Sequence, residues 1–184
     1  MVLASPSPSV VDNSIKELNQ HAETMDLMGL PQSNYAKMNI HVGGAYGDKI
    51  AAMARFCKSF KRLSPSAQAR LTIENDDRAS MYSVVDLYHG IHKVIGIPIV
   101  FDYHHHQFCT GDLSEKAALH LASTTWPNGI KQCVHYSESK ALHENNPKIK
   151  PQAHSDYIHD KINSWDLPLD IMVESKAKEL SIQD

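Results

Sequence analysis

The sequence has 184 residues, of which 42% are hydrophobic and 21% are charged, and its formal net charge is −3. A chain of this length is expected to form a single domain, residues 1–184, with its own hydrophobic core. The slight negative charge argues against a passive nucleic-acid binder, which would need a basic surface. It leaves open an enzyme whose bound cations receive a phosphate group.

The cysteine content and the lack of long apolar runs indicate an intracellular protein. Cys57, Cys109 and Cys133 are too few, and too irregularly spaced, for a disulfide framework, so they predict reduced thiols. No run is long and apolar enough to span a membrane, and the opening MVLASPSPSV is not organised as a signal peptide. We therefore expect no membrane partner, and a location in the cytoplasm, or in the nucleus if the source is eukaryotic.

Short apolar runs alternate with helical patterns along the chain. Residues 2–5 resemble the end of a strand, and a helix is predicted to follow from the N-cap residue Ser9 to Gly29. Later helices are expected to bury Ile50 and to start near Ser80, and a lysine-rich helix is expected to end the chain. Five strand-like runs occur at 37–44, 69–77, 97–102, 130–135 and 169–174.

Each of the five runs ends in a side chain that can bind a metal ion. These strand-end residues are His41, Glu74, Asp102, His135 and Glu174. Strands that alternate with helices form parallel sheets, and right-handed crossovers bring their C-terminal ends to one side. Candidate ligands on every strand, without a glycine-rich phosphate loop, favour a barrel over an open doubly wound sheet. We predict an α/β fold, a partial (β/α)8 TIM barrel of about five βα units plus a strand remnant, because a full barrel needs ~250 residues.

Two further histidines can reach the same face. His105 follows Asp102 by three residues, and His154 lies in the long polar loop after His135. His104 and His106 are expected to pack or to support the site. Imidazole and carboxylate ligands without thiolate favour Mn²⁺, Zn²⁺ or iron over Mg²⁺. Seven candidate ligands exceed the needs of one ion, so we expect two or more ions, which suits phosphodiester cleavage.

Five segments of the sequence resemble the UV damage endonucleases. They are NIHVGGAYGDK, LTIENDD, IPIVFDYHHH, AHSDY and DIMVESKAKE, and they occur in the family's order. The resemblance implies a TIM barrel related to endonuclease IV that cleaves the phosphodiester bond immediately 5′ of UV photoproducts in double-stranded DNA. It also implies a cluster of divalent ions, most often Mn²⁺, with Zn²⁺ as the alternative.

The resemblance also assigns roles to residues, although it names no catalytic group beyond the metal ligands. The implied ligands are His41, Glu74, Asp102, His105, His135, His154 and Glu174. Asn75, beside Glu74, and Cys133 are expected to lie behind the ligands and to support them. Cys133 stands two residues before His135, where the family usually has a carboxylated lysine. A thiol cannot supply that bridging carboxylate, although a thiolate could bind Zn²⁺.

The family's remaining metal-binding histidines and its lesion-probing Gln-Tyr pair precede the region that this sequence resembles. We therefore expect the chain to correspond to the C-terminal portion of such a barrel. Two alternatives stay open. One is a non-catalytic fragment that binds metal or associates with itself through an open barrel edge. The other is a different metal-dependent barrel enzyme, such as an abasic-site endonuclease or a sugar isomerase.

Overall fold

The protein is built around five parallel strands, in a computed structural model that describes residues 1–144 and 146–182. The strands are β1 (Met38–Ile40), β2 (Leu71–Glu74), β3 (Ile99–Asp102), β4 (Gln132–Tyr136) and β5 (Leu169–Val173). Each strand pairs with the next one in the sequence, in the order β1-β2-β3-β4-β5. This sequential parallel order is that of a half-barrel, which confirms the predicted α/β partial barrel.

Helices connect the strands and cover one side of the sheet. They are α1 (Pro8–Leu27), a 3₁₀ turn (Asn34–Ala36), α2 (Lys49–Phe60), α3 (Pro65–Arg70), α4 (Val84–Leu87), a π-helical segment (Tyr88–His92), α5 (Lys93–Ile95), α6 (Tyr103–His106), α7 (Glu115–Ser123), α8 (Lys140–His143) and a second 3₁₀ turn (Lys178–Ile182). Among the described residues, none of these helices is both long and apolar enough to cross a membrane.

The strands direct alternate side chains to the two faces of the sheet. Ile40, Ile73, Phe101 and Val134 are buried in the main hydrophobic core together with residues of the helices. The opposite, concave face carries the polar strand-end side chains. Because one face of β1, β2, β3 and β4 is buried in the core, the register of these strands, and hence the position of their polar residues, is fixed.

The segment at residues 2–5 corrects one expectation. It belongs to the described part of the chain and forms no strand, although Leu3 and Ala4 are fully buried. Side chains, and not a neighbouring strand, form hydrogen bonds with the backbone of this segment. The Val2 N–H donates to Ser14 Oγ at 2.8 Å, and Arg55 Nε donates to the Ala4 carbonyl at 2.8 Å. The predicted strand remnant is therefore a buried, irregular segment.

Two predicted helix starts also differ from the structure. Helix α1 begins at Pro8 after Ser7, not after Ser9, because proline at the first helical position presets the backbone. Helix α4 begins at Val84, where Ser83 and Asp86 form a capping box, and not near Ser80.

Two further predictions are wrong: the burial of Ile50 and the lysine-rich helix after β5. Ile50 is 77% exposed. It lies in the first turn of α2, whereas the buried residues Ala52, Phe56 and Phe60 lie further along the helix. As far as residue 182, where the described part of the chain ends, the lysine-rich segment after β5 forms only the short 3₁₀ turn at Lys178–Ile182.

Candidate metal centre

The strand ends converge on the carboxylate of Glu74, at the C-terminal end of β2. Glu74 is only 3% exposed, and three imidazoles surround it. His41 Nε2 lies 3.7 Å from Glu74 Oε1, and His105 Nδ1 lies 3.2 Å from the same oxygen. His135 Nδ1 lies 3.1 Å from Glu74 Oε2. These residues belong to four different strand ends or exit turns, as the parallel topology predicts.

A second carboxylate, Glu174, extends the site from the end of β5. His135 Nδ1 lies 3.0 Å from Glu174 Oε1, so this imidazole stands between two carboxylates. His154 Nδ1 lies 3.8 Å from Glu174 Oε2 and 3.0 Å from the Glu174 backbone carbonyl. The loop holds His154 there because Ser139 forms an antiparallel bridge with it.

Asp102 completes the concave cluster from β3. It is fully buried, and one of its oxygens, Oδ1, accepts the N–H of His105 at 2.8 Å. The other oxygen, Oδ2, lies 3.9 Å from His105 Nδ1 and has no hydrogen-bond donor among the described residues. A buried carboxylate oxygen without a donor is costly unless a cation completes it.

Three of the imidazoles have Nδ1 in contact with a neighbouring carbonyl or carboxylate oxygen. His105 Nδ1 contacts the Asn75 carbonyl at 2.9 Å, and His154 Nδ1 contacts the Glu174 carbonyl, which leaves Nε2 of both rings for an ion. His41 Nδ1 faces Asp76 Oδ1 at 3.3 Å. Imidazoles that bind metals usually donate their second N–H to a carbonyl or carboxylate in this way.

The ligand atoms fall into two groups that share one residue. His41, Glu74 and His105 form one group, and Glu74, Asp102 and His135 form the other, with the ligand atoms of each group within 4.8 Å of one another. The donor set of imidazole nitrogens and carboxylate oxygens fits Mn²⁺ or Zn²⁺. Of the predicted ligands, His154 and Glu174 lie beside these groups, and Glu174 contacts both His154 and His135.

The proximity of acids and bases shifts their pKa values. Burial alone would raise the pKa of Glu74, but His105 and His135 outweigh it and hold the pKa well below its usual range. Burial opposes protonation of the two histidines, yet Glu74 raises the pKa of His105 to about 9, and Glu174 with Glu74 raises that of His135 to about 10. Burial raises the pKa of Asp102 to about 6. In the metal-free centre, His105 and His135 therefore carry protons at the positions where metal ions would bind.

Asn75 fastens the end of β2 to β3. Its Oδ1 accepts the Asp102 N–H at 2.9 Å, its Nδ2 donates to the Asp102 carbonyl at 3.0 Å, and its own carbonyl contacts His105. The side chain thus replaces a backbone pairing and fixes the backbone that carries two of the predicted ligands. This geometry suits the supporting role that the sequence suggested for Asn75.

Cys133 points to the concave face below His135. It is buried against Val100 and Trp126, and burial raises the pKa of its thiol, which is therefore neutral at neutral pH. Neither group of ligand atoms includes it. His104 and His106 are buried, as expected for packing histidines.

Two residues of the site were not predicted from the sequence. Asp76 orients His41 and follows Glu74 by two residues in the ENDD motif, so the motif itself contained that signal. Asn39 donates to Glu74 Oε2, and its Oδ1 accepts the Thr72 hydroxyl at 3.0 Å. Its position two residues before His41, on the same face of β1, could have identified it.

Known proteins resemble this chain over nearly its whole length. A family model described as UV-endonuclease UvdE matches residues 1–184. A UV-damage endonuclease of Schizosaccharomyces pombe is 38% identical, and the alignment covers 98% of this chain and 31% of the relative. A UV DNA damage endonuclease of Bacillus velezensis is 32% identical, with 98% of this chain and 56% of the relative covered.

A solved structure shows the same fold. The crystal structure of SacUVDE superposes with a TM-score of 0.81 and 34% sequence identity, over 98% of this chain and 58% of that chain. The chain thus spans about half of the length of this protein and of the bacterial relative, and less than a third of the fungal one. Because the family model matches every residue, the chain belongs to the UV-endonuclease UvdE family.

Proposed function

We propose that the chain carries a large part of the active site of a DNA repair endonuclease, which cleaves the phosphodiester bond 5′ to UV photoproducts in double-stranded DNA. The observation that carries this proposal is the position of Glu74, whose carboxylate is shared by two three-ligand groups. Two or more divalent ions, Mn²⁺ foremost and Zn²⁺ second, would be held there. The names and the family of the similar proteins support the nuclease activity.

Each predicted ligand would have a defined part in holding the ions. Glu74 would serve in both groups of ligands, with His41 and His105 in one and Asp102 and His135 in the other, and with His154 and Glu174 beside them. Bound divalent ions supply a water of lowered pKa and stabilise negative charge on the phosphate and on the leaving oxygen. Asn75, Asn39 and Asp76 would keep the ligands oriented, and Cys133 would fill the space below His135.

The charge of the site explains why DNA binding would depend on metal. The concave face carries the carboxylates of Glu74, Asp102 and Glu174, and the chain as a whole has a net charge of −3. Without cations, the protonated rings of His105 and His135 only offset these carboxylates, whereas bound divalent ions would add the positive charge that a phosphate backbone needs. His41 is 39% exposed and Glu174 is 34% exposed, so the rim of the site is open to a large substrate.

A nicking assay tests the proposed activity. UV-irradiated and untreated supercoiled plasmids are incubated with the chain and Mn²⁺, and a duplex with one defined photoproduct locates the cut. We expect nicking of irradiated DNA only, 5′ of the lesion, and loss of nicking in Glu74→Gln. His89→Ala, which changes an exposed histidine outside the site, serves as the matched control.

The same assay separates the alternatives. Equal or better cleavage of abasic-site duplex would identify an abasic-site endonuclease, and turnover of an aldose instead of DNA would identify a sugar isomerase. Metal binding without cleavage of any substrate would leave the non-catalytic fragment. A DNA substrate also supports our proposal that the protein acts inside the cell, in the cytoplasm or, in a eukaryote, in the nucleus.

A second candidate property is self-association through the open edge of β5. In the described part of the chain, β5 pairs with β4 on one side and has no strand on the other. Its Ile171 is 41% exposed and its Met172 is 55% exposed, and such edges favour association. Light scattering should give a mass above that of the monomer, which Met172→Lys lowers; a monomeric wild-type chain would contradict this.

A further inference from the structure

A second group of potential ligands lies in the loop between β4 and β5. It consists of Glu138, His143 and His159, whose ligand atoms all lie within 4.8 Å of one another. His143 Nε2 is 3.0 Å from Glu138 Oε2, and the rings of His143 and His159 have their centroids 3.9 Å apart. The group shares no residue with the centre around Glu74.

The carboxylate of Glu138 is the fixed part of this group. Glu138 is 5% exposed, and its Oε1 accepts the N–H groups of His159 and Asp160 at 2.9 and 2.8 Å, as well as the Tyr136 hydroxyl at 3.2 Å. A buried carboxylate with fixed donors keeps its orientation without an ion. Its second oxygen, Oε2, faces His143.

The two imidazoles, which are more exposed than Glu138, give the group its preference for a metal ion. Two protonated rings at this distance repel each other, whereas two neutral rings can share one cation. The His143 side chain is 27% exposed, so solvent can complete the coordination. Two imidazoles and one carboxylate with an open position are the ligand set of three-residue Zn²⁺ sites.

We propose that Glu138, His143 and His159 bind a Zn²⁺ ion in a second metal site, separate from the centre at the strand ends. The carboxylate and both imidazoles supply three ligands, and water supplies the fourth. Asn39, Asp76 and the other residues around Glu74 take no part in it.

The second site would stabilise the loop that presents His154. Backbone bonds already join the two sides of this loop: the Lys140 N–H donates to the Ala153 carbonyl at 2.7 Å, and the Ser155 N–H donates to the Glu138 carbonyl at 2.8 Å. An ion held by Glu138, His143 and His159 adds a link between α8 and the far side of the loop. His154 lies between these two attachment points, so the ion limits its motion relative to Glu174.

Counting bound Zn²⁺ tests the proposal. Equilibrium dialysis with elemental analysis is carried out on the wild type, on the double variant His143→Ala/His159→Ala and on the matched control His21→Ala, which removes an exposed histidine of α1. We expect the double variant to bind one Zn²⁺ ion fewer per chain than the other two proteins. The same loss of one ion is expected in a Glu74→Gln background, because the two sites are separate.

A second variant guards against a loss that comes from misfolding. Glu138→Gln keeps an oxygen that accepts the N–H groups of His159 and Asp160 but removes the anionic ligand, so it too should bind one ion fewer while keeping the wild-type circular dichroism spectrum. If the double variant does not fold, the number of Zn²⁺ ions bound by Glu138→Gln tests the proposal instead. A folded variant that binds as many Zn²⁺ ions as the wild type overturns the proposal.

Discussion

Each imidazole of the candidate centre is held by a specific neighbour, and this decides which nitrogen is available. His105 and His154 use Nδ1 on backbone carbonyls, and His41 uses Nδ1 on Asp76. His135 differs, because its Nδ1 lies between two carboxylates, 3.1 Å from Glu74 and 3.0 Å from Glu174. A cation between these three groups would replace the proton of His135.

Metal binding should therefore release protons at neutral pH. In the metal-free protein the raised pKa values, about 9 for His105 and about 10 for His135, keep both rings protonated at pH 7. Ligands bind as neutral imidazoles, so Mn²⁺ must displace these protons, and its apparent affinity should rise with pH until about pH 10. Isothermal titration in two buffers of different ionisation enthalpy measures the released protons.

The direction of this effect is its critical feature. Proton release should be near its maximum at pH 7 and should fade as the pH passes the raised histidine values, because fewer protons then remain to be displaced. Titration heats that do not depend on the buffer at pH 7 would show that the two rings are already neutral, and would contradict the assigned charges.

Asn75 should matter for metal affinity although it is not a predicted ligand. Asn75→Ala removes both partners of the Asp102 backbone groups, which leaves buried polar atoms unpaired at a cost of about 1–3 kcal/mol of unfolding free energy. Loss of such supporting contacts typically lowers metal affinity by about 10–100-fold. Urea denaturation and Mn²⁺ titration measure the two effects. Asn128→Ala, in an exposed turn, should change neither quantity.

At the scale of the elements, Arg70 joins α3 to the end of α1. Its side chain is fully buried, and its guanidinium donates to the carbonyls of Pro31, Leu30 and Ala36 at 2.7, 2.9 and 3.2 Å. It also donates to Asp26 Oδ1 at 2.6 Å, and this contact lowers the pKa of that carboxyl group. The connection fixes the segment that leads into β1.

Arg70→Ala should destabilise the fold substantially. The substitution leaves three carbonyl oxygens without their donor, so we expect a loss of about 3 kcal/mol of unfolding free energy or more. Arg62→Ala is the matched control, because Arg62 pairs with Asp12 at 2.6 Å on the exposed surface and should contribute less than about 1 kcal/mol. Urea denaturation distinguishes the two. Equal, small losses would show that the buried network does not stabilise the chain.

The elements also show what the sequence could and could not predict. The five strands and the meeting of their C-terminal ends follow from apolar runs and parallel topology, and the structure confirms them. Asn39 shares a face of β1 with His41, but its contact with Glu74, 35 residues away in sequence, is visible only in the fold. The burial of Ile50 is predicted wrongly because hydrophobic periodicity identifies the apolar face of a helix, but not how far the elements that cover this face extend along it.

At the scale of the whole molecule, the candidate centre joins all five strands of the described half-barrel. His41 follows β1, Glu74 ends β2, Asp102 ends β3, His135 lies in β4 and Glu174 follows β5. Contacts between their side chains are mainly between acids and bases, and so they depend on protonation. An ion at the centre would connect elements that otherwise meet only through the sheet and the helical core.

Divalent ions should consequently raise the melting temperature of the chain. A ligand that binds only the folded state, at about 100 times its Kd, adds about 2.7 kcal/mol, and for a domain of about 150–250 residues each kcal/mol corresponds to about 2–4 °C. We therefore expect Mn²⁺ to raise the Tm by roughly 5–10 °C over the value in a chelator, in thermal melts followed by circular dichroism. In Glu74→Gln the shift should largely disappear, since both ligand groups contain Glu74. An unchanged shift in that variant would mean that Mn²⁺ binds elsewhere, because no other residue belongs to both groups.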